Sequence, residues 1–196
     1  MTLFFDICLG IGVALAVGLR PFLPALLVGA LASGNAGIDF DHTDFSFLES
    51  PVFLVLLIVA LVALVVAERR LGQDKVESGA PGAILAGIAL GLGACLFAGS
   101  LADDGYTWWP GLVAGVLCAA LALATARLFF ARIRRRLDRE AVVALPAYAE
   151  GAGLILAGLS VLAPPVGLVG LAFLAWLLVG QRRREGQKYA GLRILR

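Results

Sequence analysis

Three segments of this sequence are apolar over the length that an α-helix needs to cross a bilayer, which is about 20 residues. They occupy positions 51–68, 81–101 and 108–130. Hydrophobic residues make up 61% of the 196 residues and charged residues 15%, whereas a soluble domain has roughly 45–50% and 25%. The sequence therefore predicts an all-α polytopic membrane protein and leaves no length for a separate soluble catalytic domain.

The distribution of charge predicts how the chain is oriented. Apart from Arg20, the Lys and Arg residues fall in three segments, 69–75, 127–139 and 182–196. The loop 34–50 and the turn at Asp103 and Asp104 are acidic and contain neither residue type. Because cytoplasmic loops are enriched in Lys and Arg, we expect a multi-pass protein of the bacterial inner membrane with a cytoplasmic C-terminus.

The same charge pattern divides the chain into two parts. Residues 1–181 are expected to form a single membrane domain, and the basic tail 182–196 is expected to lie on anionic lipid. Membrane lipids are therefore expected partners, and nucleic acid is not. The Gly-x-x-x-Gly pair Gly87 and Gly91 predicts close packing against another helix. A homodimer is a further option, because a seven-segment protein of this size encloses little volume.

An internal repeat relates the two ends of the membrane domain. Residues 10–29 align without gaps on residues 151–170, and the alignment places Pro24 on Pro165. Proline in a helix interior removes a backbone hydrogen bond and opens the helix. Pro21 and Pro24 in the first copy, and Pro164 and Pro165 in the second, therefore predict two helix breaks.

The repeat copies 1–34 and 143–181 enclose the three predicted spans. An odd number of crossings between the copies inverts the second relative to the first. The predicted fold is thus three full spans plus two broken or re-entrant helical hairpins in an inverted repeat. The alternative is one kinked helix in the first copy and two ordinary spans in the second.

Arg20 is the cation whose position the topology does not explain. It lies in the first helix break, in the sequence GLRPFLP. An arginine at membrane depth usually faces a polar cavity, an anionic ligand or a buried carboxylate, and its guanidinium fits phosphate or carboxylate. A structural salt bridge to Asp6 or Glu150 is the competing interpretation.

Four further residues are candidates for the same site. Glu150, at the start of the second copy, is expected to accept a proton, bind a cation or pair with Arg20, and Tyr148 offers a hydroxyl nearby. Glu68 ends an apolar span beside Arg69. A structural charge network explains this position as well as a role in the site does. Asp6 precedes the first apolar segment, where a carboxylate commonly caps a helix.

The remaining chemistry of the sequence argues against an enzyme. Cys8, Cys95 and Cys118 lie far apart in apolar runs, and His42 is the only histidine. We therefore expect no cofactor, no hydrolase or transferase site and no metal site. The sequence DFDHTD around His42 resembles a weak divalent-cation ligand set, but a solvated loop is the simpler interpretation.

Several short motifs together resemble a known family. They are GLRPFLP after a glycine-rich opening, Glu68 ahead of Asp74 and Lys75, and Pro146 ahead of Glu150 and Gly151. This combination is similar to a family of small bacterial integral membrane proteins catalogued as a domain of unknown function, which implies no established activity. The predicted architecture alone is similar to DedA-type carriers of polyprenyl phosphate.

Three functional hypotheses follow. The first is a small inner-membrane transporter or lipid flippase, in which Arg20 binds an anionic small molecule or lipid phosphate and Glu150 couples protons or balances charge. The second is a non-transporting scaffold or assembly subunit with Arg20 in a structural ion pair, and the third is a pore-type channel. A polar cavity reaching Arg20 favours transport, whereas an Arg20 sealed by a salt bridge favours the scaffold.

Overall fold

The computed structural model describes residues 3–72, 75–76, 78–134 and 139–190. These residues contain seven α-helices, a short 3-10 helix at Ser46–Glu49 and no strand. The α-helices are α1 Leu3–Leu19, α2 Phe22–Ala32, α3 Pro51–Leu71, α4 Gly79–Asp103, α5 Trp109–Arg134, α6 Arg139–Leu162 and α7 Pro165–Ala190. The all-helical fold class is confirmed.

Both predicted helix breaks are confirmed. The first helix ends at Leu19 and the next begins at Phe22, so Arg20 and Pro21 form the connection. The second break separates Leu162 from Pro165. Proline has no N–H to donate, and the first turn of a helix needs none there, so Pro24 and Pro165 fit the first turns of α2 and α7.

Among the described residues, four helices are long and apolar enough to cross a membrane, whereas three full spans were predicted. The additional one is Ala144–Leu162 within α6, which the repeat assigned to the second broken hairpin. Since no break occurs in α6 before Pro164, this arm reaches full spanning length. The other apolar helices, Leu3–Leu19, Phe22–Ala32 and Pro165–Gly180, are shorter.

The helices run between two ends of opposite charge. The acidic end holds Asp39, Asp103 and Asp104, and the basic end holds Arg69 and Arg132. At the acidic end the backbone N–H of Asp39 donates a 3.3 Å hydrogen bond to Asp103. Successive helices alternate in direction, so the α1–α2 break lies toward the basic end and the α6–α7 break lies at the acidic end. The basic tail 182–196 falls outside the residues whose side chains are described.

The first helix forms the centre of the bundle. It packs against α4, α5, α6 and α7, and its residues from Cys8 to Gly18 are buried. A helix surrounded on all sides is apolar all round, as the sequence of α1 is. By contrast, α3 packs mainly against α2 and exposes most of its apolar side chains.

Glycines determine how closely the central helices approach. A side chain at Gly12 would collide with Ser160 and with the backbone of Gly167, and one at Gly153 would meet Pro24 and Ala16. Among the described residues, nothing lies within 4 Å of a β-carbon built at Gly87 or Gly91. No described helix of the chain packs on this pair, whereas Gly93, on the same predicted surface, lies against Ala119 of α5. Packing of the pair on another helix stays a prediction.

The loop 33–50 packs its apolar side chains into the bundle, while Asp41, His42 and Asp44 are exposed, as the solvated-loop interpretation expected. Ile38, Phe40 and Leu48 are buried, and the ring of Phe40 lies against Gly99 of α4. At the end of the loop, the hydroxyl of Ser50 accepts a 3.3 Å hydrogen bond from the N–H of Phe53, which caps α3. The loop thus covers the acidic end of the core.

Alanine substitutions at Gly12 and Gly87 test this packing. Gly12→Ala is expected to lower the free energy of unfolding by about 1–3 kcal/mol, because the new methyl group overpacks the contact with α6 and α7. Gly87→Ala has space, and alanine favours helix over glycine by up to about 1 kcal/mol, so it is expected to be neutral or stabilising. Thermal unfolding in detergent, followed by size-exclusion chromatography, compares the two; equal loss of stability would contradict the arrangement.

Candidate functional site: a buried charge cluster at the α1–α2 break

The guanidinium of Arg20 lies inside the protein, with 6% of the residue exposed. Its Nη1 donates a 2.7 Å hydrogen bond to Oε1 of Glu68, and its Nε lies 3.9 Å from Oε1 of Glu150. The first contact is a short charge-assisted hydrogen bond, whereas the second is too long for one. Arg20 therefore forms a tight pair with Glu68 and a looser electrostatic contact with Glu150.

Three separate parts of the chain build this cluster. Arg20 comes from the connection between α1 and α2, Glu68 from the last turns of α3, and Glu150 from the first half of α6. Helix α6 can approach because Gly153, one turn after Glu150, has no side chain to hold it away from Pro24 and Ala16. The predicted association of Arg20 with Glu150 is observed, and Glu68 is its closer partner.

The cluster contains more negative than positive charge. Arg20 supplies one cation, and Glu68 and Glu150 supply two carboxylates when both are ionised. Oε2 of Glu150 is buried and has no hydrogen-bond partner among the described residues. Burial of an ionised carboxylate without full pairing is costly. Protonation of Glu150 therefore removes a larger burial cost than protonation of Glu68 would.

A cavity of about 60 Å³ adjoins Arg20. Its walls come from the α1–α2 connection and from α3, α4 and α5, and they include Leu64, Gly82, Arg127 and Phe130. Nη2 of Arg127 donates a 2.9 Å hydrogen bond to the carbonyl oxygen of Gly82. Arg20 and the exposed Arg127 are thus both wall residues of one small, mostly apolar space, which we call the charged cavity.

Arg127 is the residue that the sequence analysis missed. It was counted with the basic segment 127–139 as a topology signal. A distinguishing signal was present, because Arg127 stands apart from Arg132 and the arginines after it and is surrounded by apolar residues, in ATARLFF. An arginine inside an apolar segment is a candidate site residue for the same reason as Arg20.

The structure places two other candidates away from Arg20. Tyr148 is 75% exposed and lines a separate groove on the outside of α6. Asp6 lies in the first turn of α1, at the acidic end, where its carbonyl oxygen accepts a hydrogen bond from Ser100. A salt bridge between Asp6 and Arg20 is therefore not the arrangement that α1 adopts.

A carboxylate cluster lies at the acidic end. One oxygen from each of Asp39, Asp41 and Glu49 falls within 4.8 Å of the others. Burial raises the pKa of Glu49, and a hydrogen bond with the carboxyl group of Asp41 adds to this shift. A raised pKa weakens a carboxylate as a cation ligand, so the absence of a metal site stays the prediction for this loop.

Together these features define a class: an all-helical membrane-type protein with a buried Arg–Glu cluster and an adjoining cavity at a helix break. The chain belongs to the family described as a domain of unknown function, DUF4126, whose model matches residues 7–184. This agrees with the expected resemblance to an uncharacterised family. Searches of the curated proteins and of the solved structures found no match.

The charge count predicts an order of stability among three variants. At neutral pH, Arg20→Gln leaves two buried carboxylates without their cation and is expected to cost about 3–5 kcal/mol, the usual effect of breaking a buried pair. Glu68→Gln is expected to cost less, because Glu150 remains to balance Arg20. Glu150→Gln is expected to be neutral or stabilising, because it leaves the 2.7 Å pair intact.

Thermal unfolding in detergent measures this order, with the exposed Asp44→Asn as the control for loss of one carboxylate. If Glu150→Gln were as destabilising as Arg20→Gln, Glu150 would be an equal partner of the ion pair, and the charge count above would be wrong.

Proposed function

We propose that this protein is a small transporter in the bacterial inner membrane that moves an anionic substrate together with protons. The observation that carries the proposal is the charged cavity beside a surplus buried carboxylate: Arg20 and Arg127 border the space, and Glu150 lies 3.9 Å from Arg20. In this mechanism Arg20 and Arg127 attract the anion, Glu68 holds Arg20 in place, and Glu150 carries the proton.

The coupling follows from the charge of four groups. With Glu150 ionised, Arg20, Arg127, Glu68 and Glu150 sum to zero, so an added anion is opposed by two carboxylates. With Glu150 protonated, the sum is +1, and an anion entering the cavity restores neutrality. Proton binding and anion binding therefore favour each other, which is the thermodynamic requirement for co-transport.

Among the described residues, Arg20 and Glu68 are the charged groups that act on Glu150 most directly. Helices α2 and α7 also lie near α6, and neither α2 nor residues 165–180 of α7 contain a charged residue. Asp6 lies at the far end of α1. The proton carried by Glu150 is thus coupled to Arg20 rather than to a distant group.

The inverted repeat supports transport and remains part of the proposal. Equivalent glycines of the two copies each pack against the opposite copy: Gly12 contacts Ser160 and Gly167, and Gly153 contacts Ala16 and Pro24. Reciprocal contacts of this kind are expected when two hairpins are related by a two-fold axis in the membrane plane. The likeness to DedA-type carriers rests on this architecture alone.

The positive-inside rule gives the proposed orientation. Arg69, Arg70 and Arg132 lie at the basic end, which we assign to the cytoplasm together with the C-terminal tail. The charged cavity then lies nearer the cytoplasmic surface, and the folded loop 33–50 covers the outer surface.

A non-transporting scaffold is the second candidate. The observation that favours it is the 2.7 Å bond between Arg20 and Glu68, both of which have buried side chains. A pair of this kind holds the α1–α2 connection against α3 without any substrate. The scaffold and the transporter differ in one respect that is simple to measure, namely whether any anion crosses the membrane.

Reconstituted vesicles test the proposal. Purified protein is placed in proteoliposomes, and two anionic probes are followed: uptake of radiolabelled inorganic phosphate, and transfer of NBD-labelled phosphatidate between leaflets, read by dithionite quenching. At least one probe is expected to move faster than in protein-free vesicles, and faster still when a pH gradient supplies protons on the side of entry.

Two variants separate the roles of the residues. Arg20→Gln is expected to reduce movement at least tenfold, whereas Glu150→Gln is expected to retain movement but lose its response to the pH gradient. Equal rates with and without the wild-type protein, for both probes, would leave the scaffold as the better account.

A further inference from the structure

A groove lies between α5 and α6 toward the basic end of the protein. Its volume is about 570 Å³, and it is lined by Phe129, Phe130, Ile133, Leu145, Tyr148 and Ala152, with Ala144 and Ala149 completing its walls. None of these side chains is charged, and Tyr148 at its margin is exposed. We call this the lateral groove, because it opens on the outer surface of the helical bundle.

The lateral groove and the charged cavity share one wall residue, Phe130 of α5. The charged cavity has a volume of about 60 Å³, and Arg20 and Arg127 are among its wall residues. The lateral groove is roughly an order of magnitude larger and has an apolar lining. A small space beside two arginines and a large apolar space therefore have an aromatic residue in common.

From this juxtaposition we infer that the substrate is a phosphate-bearing lipid, whose head group occupies the charged cavity while its hydrocarbon chain lies in the lateral groove. The inference rests on the proposed transport function and narrows its substrate class. Phe130 is the side chain that the lipid must displace, and Tyr148 lies where its hydroxyl can remain near the head-group layer.

The shapes of the two spaces favour a lipid over a free anion. A free phosphate passing through the lateral groove would lose its hydration without gaining a polar partner, which is strongly unfavourable. A lipid already in the bilayer meets an apolar groove with its chain and needs to desolvate only its head group, for which Arg20 and Arg127 supply positive charge. The small cavity also favours a bare phosphate over a phosphate that carries a larger substituent.

The test blocks the groove without touching the charged residues. Ala152→Trp fills the lateral groove from an exposed position of α6, and Ala83→Trp places the same side chain at an exposed position of α4 that lines neither space. Full-length protein in proteoliposomes is assayed with NBD-phosphatidate, with NBD-phosphatidylcholine and with radiolabelled inorganic phosphate.

The expected result is that phosphatidate moves at least tenfold faster than phosphatidylcholine, that Ala152→Trp removes most of this movement, and that Ala83→Trp does not. Movement of inorganic phosphate without phosphatidate would overturn the lipid inference and leave the transporter proposal standing. Failure of both probes would remove the transporter proposal itself.

Two other outcomes also decide the question. Equal movement of phosphatidate and phosphatidylcholine would show non-selective lipid scrambling and exclude phosphate recognition in the charged cavity. Unchanged phosphatidate movement in Ala152→Trp would exclude the lateral groove as the path, whatever the substrate.

Discussion

The arrangement of this protein depends on keeping one guanidinium group out of water. Arg20 cannot lose its charge, so a buried position requires carboxylates close by. The chain supplies them from two distant elements, Glu68 of α3 and Glu150 of α6. Because Arg20 contacts both carboxylates, α3 and α6 come together at the connection between α1 and α2. The charged cavity arises at this junction because a proline break cannot pack as tightly as a continuous helix.

Local features of the fold were predictable from the sequence. Proline acts on its own turn of helix, so Pro21 and Pro165 locate the two breaks without any knowledge of neighbours. The folding of loop 33–50 was not predictable in the same way. Asp41 and Asp44 are exposed, as their charge suggested, but Phe40 lies against Gly99, a contact between distant parts of the chain that no local pattern encodes. The same limit applies to Gly87 and Gly91, whose spacing indicates packing without saying whether a partner helix is present.

The candidate site shows a similar division. Arg20 stood out because it was the exception to a rule about charge distribution, and a salt bridge to Glu150 was one of two structural alternatives for it. Arg127 was missed because it lies at the edge of a basic segment and therefore fits that rule. Its position at the charged cavity depends on how α4 and α5 pack, with the guanidinium reaching the carbonyl of Gly82. Charge patterns therefore identify a basic residue outside the basic segments more readily than one that lies beside such a segment and also lines a cavity.

The central position of α1 has a consequence for how the protein is made. Helix α1 precedes α6 and α7 in the chain and is synthesised before them, yet Ser160 of α6 and Gly167 of α7 lie against Gly12. Until α6 and α7 have been made, the Gly12 face of α1 lacks these partners, and Arg20 lacks Glu150. The packing around α1 is thus completed only when α6 and α7 reach a helix that was made before them.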